Sequence, residues 1–587
     1  MIHSYLFEAK SIQSYLFRTG KLRDVIAASE RLDSLIDSSK NSVLFHVLTN
    51  ANLQSDLLDA GTEDKPHLIR FLRCKGGAFY AYCQQPEPLL ALRSLWTLTV
   101  QQLFPSLEFT DALTEASTLP EALDKAHKEL AADRNTPEFK FPLATAITQR
   151  YSHTGAVSVP ISDLANRASM KDELGHNSLD LDTELHRQSY QSLNMRDRAA
   201  LQDRFTPEKL KGKVFYPINL EKDFQYSSPD VQAKNRAEIK DIALIHIDGN
   251  GLGILLIGLR DVLKGKSNDE YRNGFRQFSD ALAQATEKAA QTATQWIYDQ
   301  ACYRHTAEGD NDEKDYLPMR PLVLGGDDLT LLCRADLAVE YSKRFCREFK
   351  KESQLALAGL YSQHLRNSGI KKYLTASGGI LYHKAGHPFT YSHHLVEDLC
   401  QEAKALTKSL NKSDKEVGPA ALAFFRLSNA ISASLTALKQ QSQQFDVKDS
   451  HDSFSLELCQ SAFFVDAEHD GASDFNALDK LVKLCRGKAA PVSMTKWRQM
   501  VTHLALGNKV EADRIYARAI ERCQDHKAIE QLMALFNTFA ADSDQVCNWY
   551  WRKENGNYQT VISDMLIYDH FLAVPCQKNV TVPEGNQ

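Results

Sequence analysis

Two stretches of this chain contain the same order of sequence patterns, and that order restricts the folds open to each of them. The first contains an extended segment at 5–7, a helix at 11–38, apolar strands at 68–74 and 78–83 around a glycine turn, a helix at 87–103 and a closing strand at 144–159. The second contains a strand at 242–247, a helix at 275–303, a glycine hairpin at 321–332, a helix at 335–351, a strand at 374–382 and a helix at 392–409. This is the order of a ferredoxin-like unit. We therefore predict two diverged copies of one α+β fold, and we expect Gly20 to break the first helix.

The remaining segments complete the predicted domain organisation. A chain of 587 residues is long enough for about three or four domains. Residues 166–240 are polar and favour a helical connector, whereas residues 418–587 carry apolar residues at three-to-four spacing and favour helices, including one at 420–438. The predicted architecture is α+β: a ferredoxin-like domain at 1–165, the connector at 166–240, a second ferredoxin-like domain at 241–417 and an α-helical domain at 418–587.

Composition excludes several classes of protein. A net charge of −6 argues against a protein that coats nucleic acid through its overall charge. The 11 cysteines include no Cys-x-x-Cys pair, which favours reduced thiols in a cytoplasm and argues against a zinc ribbon. No apolar run approaches the roughly 18 residues that a membrane span needs, and the first residues do not form a leader. We expect a cytoplasmic protein without a membrane partner.

Three aspartates are the strongest candidates for chemistry. Asp248 ends an apolar strand and is followed by Gly249-Asn250-Gly251, while Asp327 and Asp328 occupy the turn of the glycine hairpin. In a ferredoxin-like sheet the end of the first strand lies beside that turn, so the three carboxylates should converge. Close carboxylates repel one another, and Mg²⁺ or Mn²⁺ relieves the repulsion while binding substrate phosphates. The pattern predicts metal-dependent nucleotidyl transfer.

A structural interpretation of each separate motif is also available. A lone glycine-aspartate turn is usually structural, and a Gly-x-Gly after a strand is a weak signal. The functional interpretation gains its strength from the combination of the three aspartates with Ser377-Gly378-Gly379 on a later strand and Lys404 on the helix after it.

The same residues carry a family resemblance. Gly325-Gly326-Asp327-Asp328, with 246–253 upstream, resembles the catalytic palm of the large subunit of type III CRISPR-Cas effector complexes, the CRISPR polymerase. That palm is related to GGDEF diguanylate cyclases and class III nucleotidyl cyclases. Residues 8–17 and 149–155 resemble segments of the first palm of this family. The resemblance covers most of the chain and is most specific at 241–410.

The resemblance implies a function and a set of site residues. Family members make cyclic oligoadenylates from ATP when target RNA is bound, so the expected partners are ATP, other CRISPR effector subunits, guide RNA and target RNA. The implied metal ligands and catalytic residues for Mg²⁺ or Mn²⁺ are Asp248, Asp327 and Asp328. The implied nucleotide-binding residues are Gly249, Asn250, Gly251, Gly325, Gly326, Ser377, Gly378 and Lys404, with Ser377 facing the base or ribose and Lys404 on the triphosphate.

The chain departs from the family pattern in three ways. Residues 7–9 and 76–79 stand where the first palm would carry carboxylates, so we expect that copy to be catalytically dead but able to hold a second ATP, with Lys75 near a phosphate. We expect no room for the amino-terminal HD nuclease domain, and hence no DNase activity. The zinc-binding segment between the palms lacks its cysteines.

Two other functions remain open at this stage. One is a stand-alone nucleotide cyclase or dinucleotide synthetase, or a relative that joins AMP to another acceptor. The other is a non-catalytic scaffold subunit of an RNA-guided complex. A basic cluster could contact RNA phosphates, although charge runs are usually solvated. The cluster consists of Arg187, Arg196, Arg198, Arg204, Lys209, Lys211 and Lys213.

Overall fold

The computed structural model describes most of the chain. The described residues are 1–37, 41–58, 65–136, 146–159, 179–192, 200–217, 224, 241–300, 305–306, 315–366, 368–410, 416–427, 434–448, 453–466, 473–540, 546–553 and 556–572. They form a mixed structure of helices and several sheets, which confirms the predicted combination of α and β structure. Much of 166–240 lies outside these residues.

The first stretch folds into a four-stranded antiparallel sheet. Its strands are β1 (Ile2–Lys10), β2 (Arg70–Lys75), β3 (Ala78–Cys83) and β4 (Glu108–Ala116). The order β2-β3-β1-β4 is that of a ferredoxin-like sheet. Its helices are α1 (Ile12–Leu16), α2 (Leu22–Asp33), α3 (Val43–Asn50), α4 (Pro86–Leu103) and α5 (Leu119–Asp133). Tyr5, Leu6 and Phe7 are adjacent in β1 and are all fully buried, because both faces of this strand are covered.

Two predictions for this stretch have different outcomes. Gly20 does separate α1 from α2, with a φ of 68° that favours glycine. The prediction of a closing strand at 144–159 is wrong, because β4 closes the sheet and Arg150 forms only an isolated bridge with Val157. The inward positions of β4 are threonine and alanine in alternation, so this strand lacks the apolar run by which strands are usually detected.

The connector and the second stretch follow. The described connector contains α6 (Leu181–Ser192), α7 (Ala200–Phe205), a helical turn (Glu208–Leu210) and β5 (Val214–Phe215). The second stretch contains β6 (Asp241–Asn250), α8 (Leu252–Leu263), α9 (Asn268–Asp299), β7 (His305–Thr306), β8 (Asp315–Tyr316), β9 (Met319–Leu324), β10 (Leu329–Arg334), α10 (Ala338–Ala356), β11 (Thr375–Lys384) and α11 (Phe389–Ser409). Short helical turns at Ala335–Leu337, Ala358–Leu360 and Tyr361–Leu365 flank α10.

The main sheet of this stretch repeats the topology of the first. Four of its six strands follow the order β11-β6-β10-β9, all antiparallel, which matches β4-β1-β3-β2 strand for strand. The three short strands β5, β8 and β7 form a separate small sheet. The two stretches therefore share one strand topology, as the repeated sequence pattern predicts.

The carboxy-terminal part contains both helices and strands. It consists of β12 (Ala421–Arg426), α12 (Leu435–Gln443), β13 (Gln444–Lys448), β14 (Ser453–Glu457), β15 (Ala462–Phe464), α13 (Phe475–Arg486), α14 (Met494–Ala505), α15 (Lys509–Arg522), α16 (His526–Phe539), β16 (Val546–Cys547), β17 (Tyr550–Arg552), β18 (Tyr558–Gln559) and α17 (Ile562–Phe571). Strands β13, β14, β18, β17 and β16 form a sheet of their own.

The prediction of an all-helical segment after 418, with a helix at 420–438, is therefore wrong. Strand β12 pairs in parallel with β11, and β15 then pairs with β12, so the main sheet extends past residue 417. Residues 421–425 are apolar and buried. A short run that is buried on all sides has no periodicity to separate a strand from a helix, which explains the error.

Charged contacts join the two ferredoxin-like parts. Arg70 of β2 forms an ion pair with Asp269 of α9 at 2.8 Å, and Arg272 of α9 pairs with Asp56 at 2.6 Å. Both pairs connect α9 of the second part to residues of the first. No helix among the described residues has the length and apolar character that crossing a membrane requires.

A candidate active site between two sheets

Asp248 lies near the carboxyl end of the central strand β6 of the main sheet. Residues 242–247 are almost completely buried, since helices cover both faces of this central strand, and the side chain of Asp248 emerges 32% exposed. Asp248 lies opposite Ser377 of β11, one residue beyond the last pair of β6 with β10. At the next position, a Cβ on Gly249 would lie 2.9 Å from the Cβ of Asp327. A side chain at 249 would therefore push the hairpin away from the strand.

The hairpin between β9 and β10 holds the other two aspartates. Leu324 pairs with Leu329, and the Gly325 N–H donates a 2.9 Å hydrogen bond to the Asp328 carbonyl oxygen. Asp328 folds back over the turn, so a Cβ on Gly325 would lie 1.6 Å from Asp328 Oδ1. The Thr286 hydroxyl of α9 donates a 2.6 Å hydrogen bond to the Gly326 carbonyl and fixes the turn from outside. The glycines thus allow Asp327 and Asp328 to approach Asp248.

Burial and the neighbouring negative charges raise the pKa values of two of the three carboxyl groups. Burial, followed by the charges of Asp248 and Asp328, raises the pKa of Asp327 to about 7. Burial and the charge of Asp248 raise the pKa of Asp328 to about 6. Buried carboxyl groups that repel one another in this way are the oxygen donor set that a hard divalent cation neutralises. The donor chemistry therefore fits the predicted Mg²⁺ or Mn²⁺.

Lys404 supplies a positive charge to this group from helix α11. Its ammonium, 17% exposed, donates a hydrogen bond to Asp248 Oδ2 and lies 3.4 Å from the Gly249 carbonyl oxygen. The sequence-based expectation placed Lys404 on a triphosphate. The structure places it directly on one of the expected metal ligands, within the same site.

Three residues expected to bind nucleotide serve the packing of the sheet instead. Ser377 is fully buried, accepts a 2.8 Å hydrogen bond from the Asn250 amide and lies 3.1 Å from the Thr407 hydroxyl. The expected contact of Ser377 with a base or ribose is therefore wrong, because β12 pairs with β11 and the Ala421 N–H also donates a hydrogen bond to the Ser377 hydroxyl. The Asn250 amide is buried and donates hydrogen bonds to Thr375 and Ser377 of β11, which does not support the expected contact with nucleotide. A Cβ on Gly378 would lie 2.7 Å from the His246 carbonyl oxygen, so this glycine allows close strand pairing.

Gly251 has a different role again. It starts α8 with a φ of 84°, and a Cβ there would lie 2.5 Å from a Val417 methyl carbon. Glycine is required at this position by the left-handed backbone and by the close contact. Gly251 therefore fixes where the helix after Asp248 begins.

A cavity of about 540 Å³ separates the two ferredoxin-like parts at this point. Its walls include 325–328 from the second part and Ala9, Gly76 and Gly77 from the first. In the aligned registers, Ala9 occupies the place of Asp248, since Glu8 pairs with Ala78 as Ile247 pairs with Leu329. This agrees with the prediction that the first copy lacks the catalytic carboxylates at its strand end and hairpin turn.

A second cavity, of about 250 Å³, reaches the other side of the hairpin. Gly326, Asp327 and Lys75 are among its lining residues. Its remaining walls are largely apolar and aromatic, and they include Leu72, Tyr80, Leu123, Leu252, Tyr271, Phe275 and Phe278. An apolar cavity beside a polar edge is typical of a site for a flat aromatic ligand.

Sequence patterns missed several residues that line these cavities. Arg73 of β2 lies in the wall of both cavities, and its charge acts on the carboxyls of Asp327 and Asp328. His393, His394 and Glu397 of α11 line the larger cavity. An arginine in a strand and histidines in a helix carry no local motif, and only the meeting of the two sheets makes them neighbours of the aspartates.

The predicted RNA-contacting cluster is largely committed to the fold. The Arg187 side chain is 2% exposed and forms a two-bond ion pair with Asp24, so the prediction of an RNA contact is wrong for this residue. Arg204 pairs with Asp33 at 2.6 Å. Lys211 pairs with Glu208, while Lys209 and Lys213 are exposed. Arg196 and Arg198 lie outside the described residues.

Comparisons with known proteins give structural neighbours only. No family model matches the chain, and no curated protein matches it. The solved structures that match include Csm1 and the Csm1-Csm4 cassette, at 10–12% sequence identity.

Three of these neighbours illustrate the match. The Csm1-Csm4 cassette in complex with cA4 aligns over 97% of this chain and 69% of the other, at 11% identity and a TM-score of 0.46. Csm1 of T.onnurineus aligns over the same shares, at 12% identity and a TM-score of 0.45. The cassette in complex with pppApA aligns over 98% of this chain and 69% of the other, at 10% identity and a TM-score of 0.46.

Proposed function

We propose that this chain is a metal-dependent nucleotidyltransferase that makes cyclic oligoadenylates from ATP in type III CRISPR antiviral defence. The observation that carries the proposal is that Asp248, Asp327 and Asp328 together line one cavity, and that Asp327 and Asp328 also line the neighbouring cavity between the two ferredoxin-like sheets. Burial and the charge of Asp248 raise the pKa values of Asp327 and Asp328, so negative charge is disfavoured at these two carboxyl groups. Binding of cations together with a polyphosphate would neutralise this charge and would therefore be favourable.

The three aspartates would hold Mg²⁺ or Mn²⁺, which when bound neutralises developing charge on the transferring phosphate. Residues of the chain itself perform the remaining tasks. Lys404 balances the charge of Asp248, and the Arg73 guanidinium adds a second positive side chain from the first ferredoxin-like part. Gly325 and Gly326 leave the hairpin without side chains, so that a phosphate can approach its backbone.

The second cavity is suited to an adenine ring. Its aromatic walls, which include Phe275 and Phe278, offer stacking surface, and its polar end opens at Asp327. Base and α-phosphate would then lie on the two sides of one hairpin. In the reaction, the 3′-hydroxyl oxygen of one ATP forms a bond to the α-phosphorus of another, the bond to pyrophosphate breaks, and the hydroxyl proton is released.

The proposal includes the surroundings of the enzyme. By its sequence resemblance the chain would work with other CRISPR effector subunits, guide RNA and target RNA in the cytoplasm. The first ferredoxin-like part would hold a second ATP across the cavity, with Ala9 and the Gly76-Gly77 turn in place of metal ligands.

Incubation of the purified chain with Mg²⁺ or Mn²⁺ and labelled ATP or GTP tests this proposal, with products identified by mass. The Asp327→Ala, Asp328→Ala double variant is the control. Cyclic oligoadenylate from the wild type and not from the variant supports the synthetase. Activity without RNA favours a stand-alone cyclase or dinucleotide synthetase. If no product forms with guide RNA, target RNA and partner subunits all present, the chain is better explained as a non-catalytic scaffold subunit.

A further inference from the structure

Three side chains on one turn of helix α11 form a cluster that the proposed chemistry does not use. His393, His394 and Glu397 each offer a ligand atom, and these atoms all lie within 4.8 Å of one another. His393 Nδ1 is 3.4 Å from Glu397 Oε2, and His394 Nδ1 is 3.7 Å from the same oxygen. Spacings of three and four residues bring side chains together on a helix surface. The cluster is therefore pre-assembled by the helix itself.

The distances match those of a coordinated transition metal. Nitrogen and oxygen ligands lie about 2.0–2.2 Å from a tetrahedral zinc ion, which puts neighbouring ligand atoms about 3.4 Å apart. Both histidine-to-glutamate distances are close to this value before any side chain moves. Two imidazoles and one carboxylate leave one position of a tetrahedral ion open.

The environment of His393 restricts how its ring can move. Its side chain is 4% exposed. The ring lies 4.3 Å, centroid to centroid, from Phe17 of the first ferredoxin-like part. A buried ring packed in this way keeps its Nδ1 atom beside Glu397.

We propose that His393, His394 and Glu397 bind a first-row transition metal ion, of the zinc class, at the wall of the cavity between the two ferredoxin-like parts. Imidazole nitrogen selects ions of this class, whereas the all-carboxylate set at Asp248, Asp327 and Asp328 suits Mg²⁺ or Mn²⁺. The three ligands share the cavity with Asp327 and Asp328. The open position of the ion is thus available to an anionic group in that cavity. The proposed ion uses none of the three aspartates as a ligand, so its binding does not depend on the proposed nucleotidyl transfer.

Cobalt titration tests the site without an activity assay. Metal-free, tag-free full-length protein is titrated with Co²⁺, whose visible absorption reports coordination by nitrogen ligands, and Zn²⁺ and Mg²⁺ are then added as competitors. The ligand variants are His394→Ala and Glu397→Gln, which replace side chains that are 52% and 37% exposed and so leave the core intact. The controls are His526→Ala, an exposed histidine on α16, and the Asp327→Asn, Asp328→Asn double variant.

The proposal requires a visible band from one bound Co²⁺ that Zn²⁺ removes and excess Mg²⁺ does not. Each ligand variant should weaken Co²⁺ binding by at least about tenfold, with an unchanged far-ultraviolet circular dichroism spectrum. Both controls should retain the wild-type affinity. The proposal is overturned by a wild type without the band, by ligand variants that bind Co²⁺ as tightly as the wild type, or by loss of the band in the double aspartate variant.

Discussion

The ammonium group of Lys404 and the carboxylate of Asp248 form a hydrogen-bonded ion pair between helix α11 and the end of strand β6. The pair links the helix that carries the histidine cluster to the strand that carries an expected metal ligand. Burial raises the pKa values of the neighbouring Asp327 and Asp328 carboxyl groups. Two predictions concern this site, and two concern buried charged groups elsewhere in the fold.

Lys404→Met should lower nucleotidyl transfer by about tenfold to a hundredfold, since it removes the positive charge from the site and keeps the aliphatic stem of the side chain. Lys408→Met, an exposed lysine on the same helix, is the matched control. Initial rates of pyrophosphate release and thermal midpoints are measured for both variants. Equal rates for the two variants would show that Lys404 has no part in the reaction.

Gly325→Ala should abolish most activity, and Gly326→Ala should lower it less. A Cβ at 325 would overlap Asp328 Oδ1 at 1.6 Å and displace that carboxylate, while a Cβ at 326 meets only a Leu282 methyl carbon at 3.5 Å. A displacement of about 1 Å at a reacting centre can cost about a hundredfold in rate. Product formation by the two variants is compared at equal thermal stability. Full activity of Gly325→Ala would contradict the observed hairpin geometry.

Glu30 should make the stability of the chain depend on pH. Burial raises the pKa of this carboxyl from 4.5 to about 7, and its Oε2 accepts a 3.3 Å hydrogen bond from the Leu201 N–H. A raised pKa means that the folded state prefers the protonated form. The stabilisation is complete below pH 4.5 and is lost as the pH rises through 7, by up to about 3 kcal/mol.

Glu30→Gln tests this dependence, because the amide keeps the acceptor and cannot ionise. The difference in unfolding free energy between wild type and variant is measured by denaturant titration from pH 4 to pH 8. It should shift in favour of Glu30→Gln as the pH rises. The exposed Glu530→Gln on α16 should show no such trend. A constant difference for Glu30→Gln would show that the carboxyl titrates normally.

Arg187→Met should destabilise the fold without weakening RNA binding. The guanidinium Nε lies 2.9 Å from Asp24 Oδ1 and Nη2 lies 3.2 Å from Oδ2, and both side chains are almost completely buried. Loss of one partner of a buried ion pair costs about 3–5 kcal/mol, since the remaining charge is uncompensated. Chemical denaturation and RNA-binding titration are compared with those of Lys213→Met, an exposed member of the basic cluster. Weaker RNA binding at unchanged stability would reverse this assignment.

Much of the fold was accessible from local patterns. The glycine hairpins at 76–77 and 325–328 and the apolar strand before Asp248 were predictable, because turn residues and buried runs act over a few positions. Strand β4 was missed, because its inward positions hold threonine and alanine. Strand β12 lies where the sequence pattern predicts a helix, because a fully buried short run carries no periodicity.

From the sequence by itself the repeated strand order and the convergence of the three aspartates could be predicted, since spacing along one chain and the geometry of a hairpin are local properties. Only the tertiary structure decided which polar residues belong to the site. Pairing with β12 buries Ser377 and removes it from any ligand, although its position in the sequence suggested contact with one. The meeting of two sheets brings Arg73 and the histidines of α11 to the same cavity as Asp327. Contacts between residues hundreds of positions apart depend on how whole elements pack, and no local pattern encodes them.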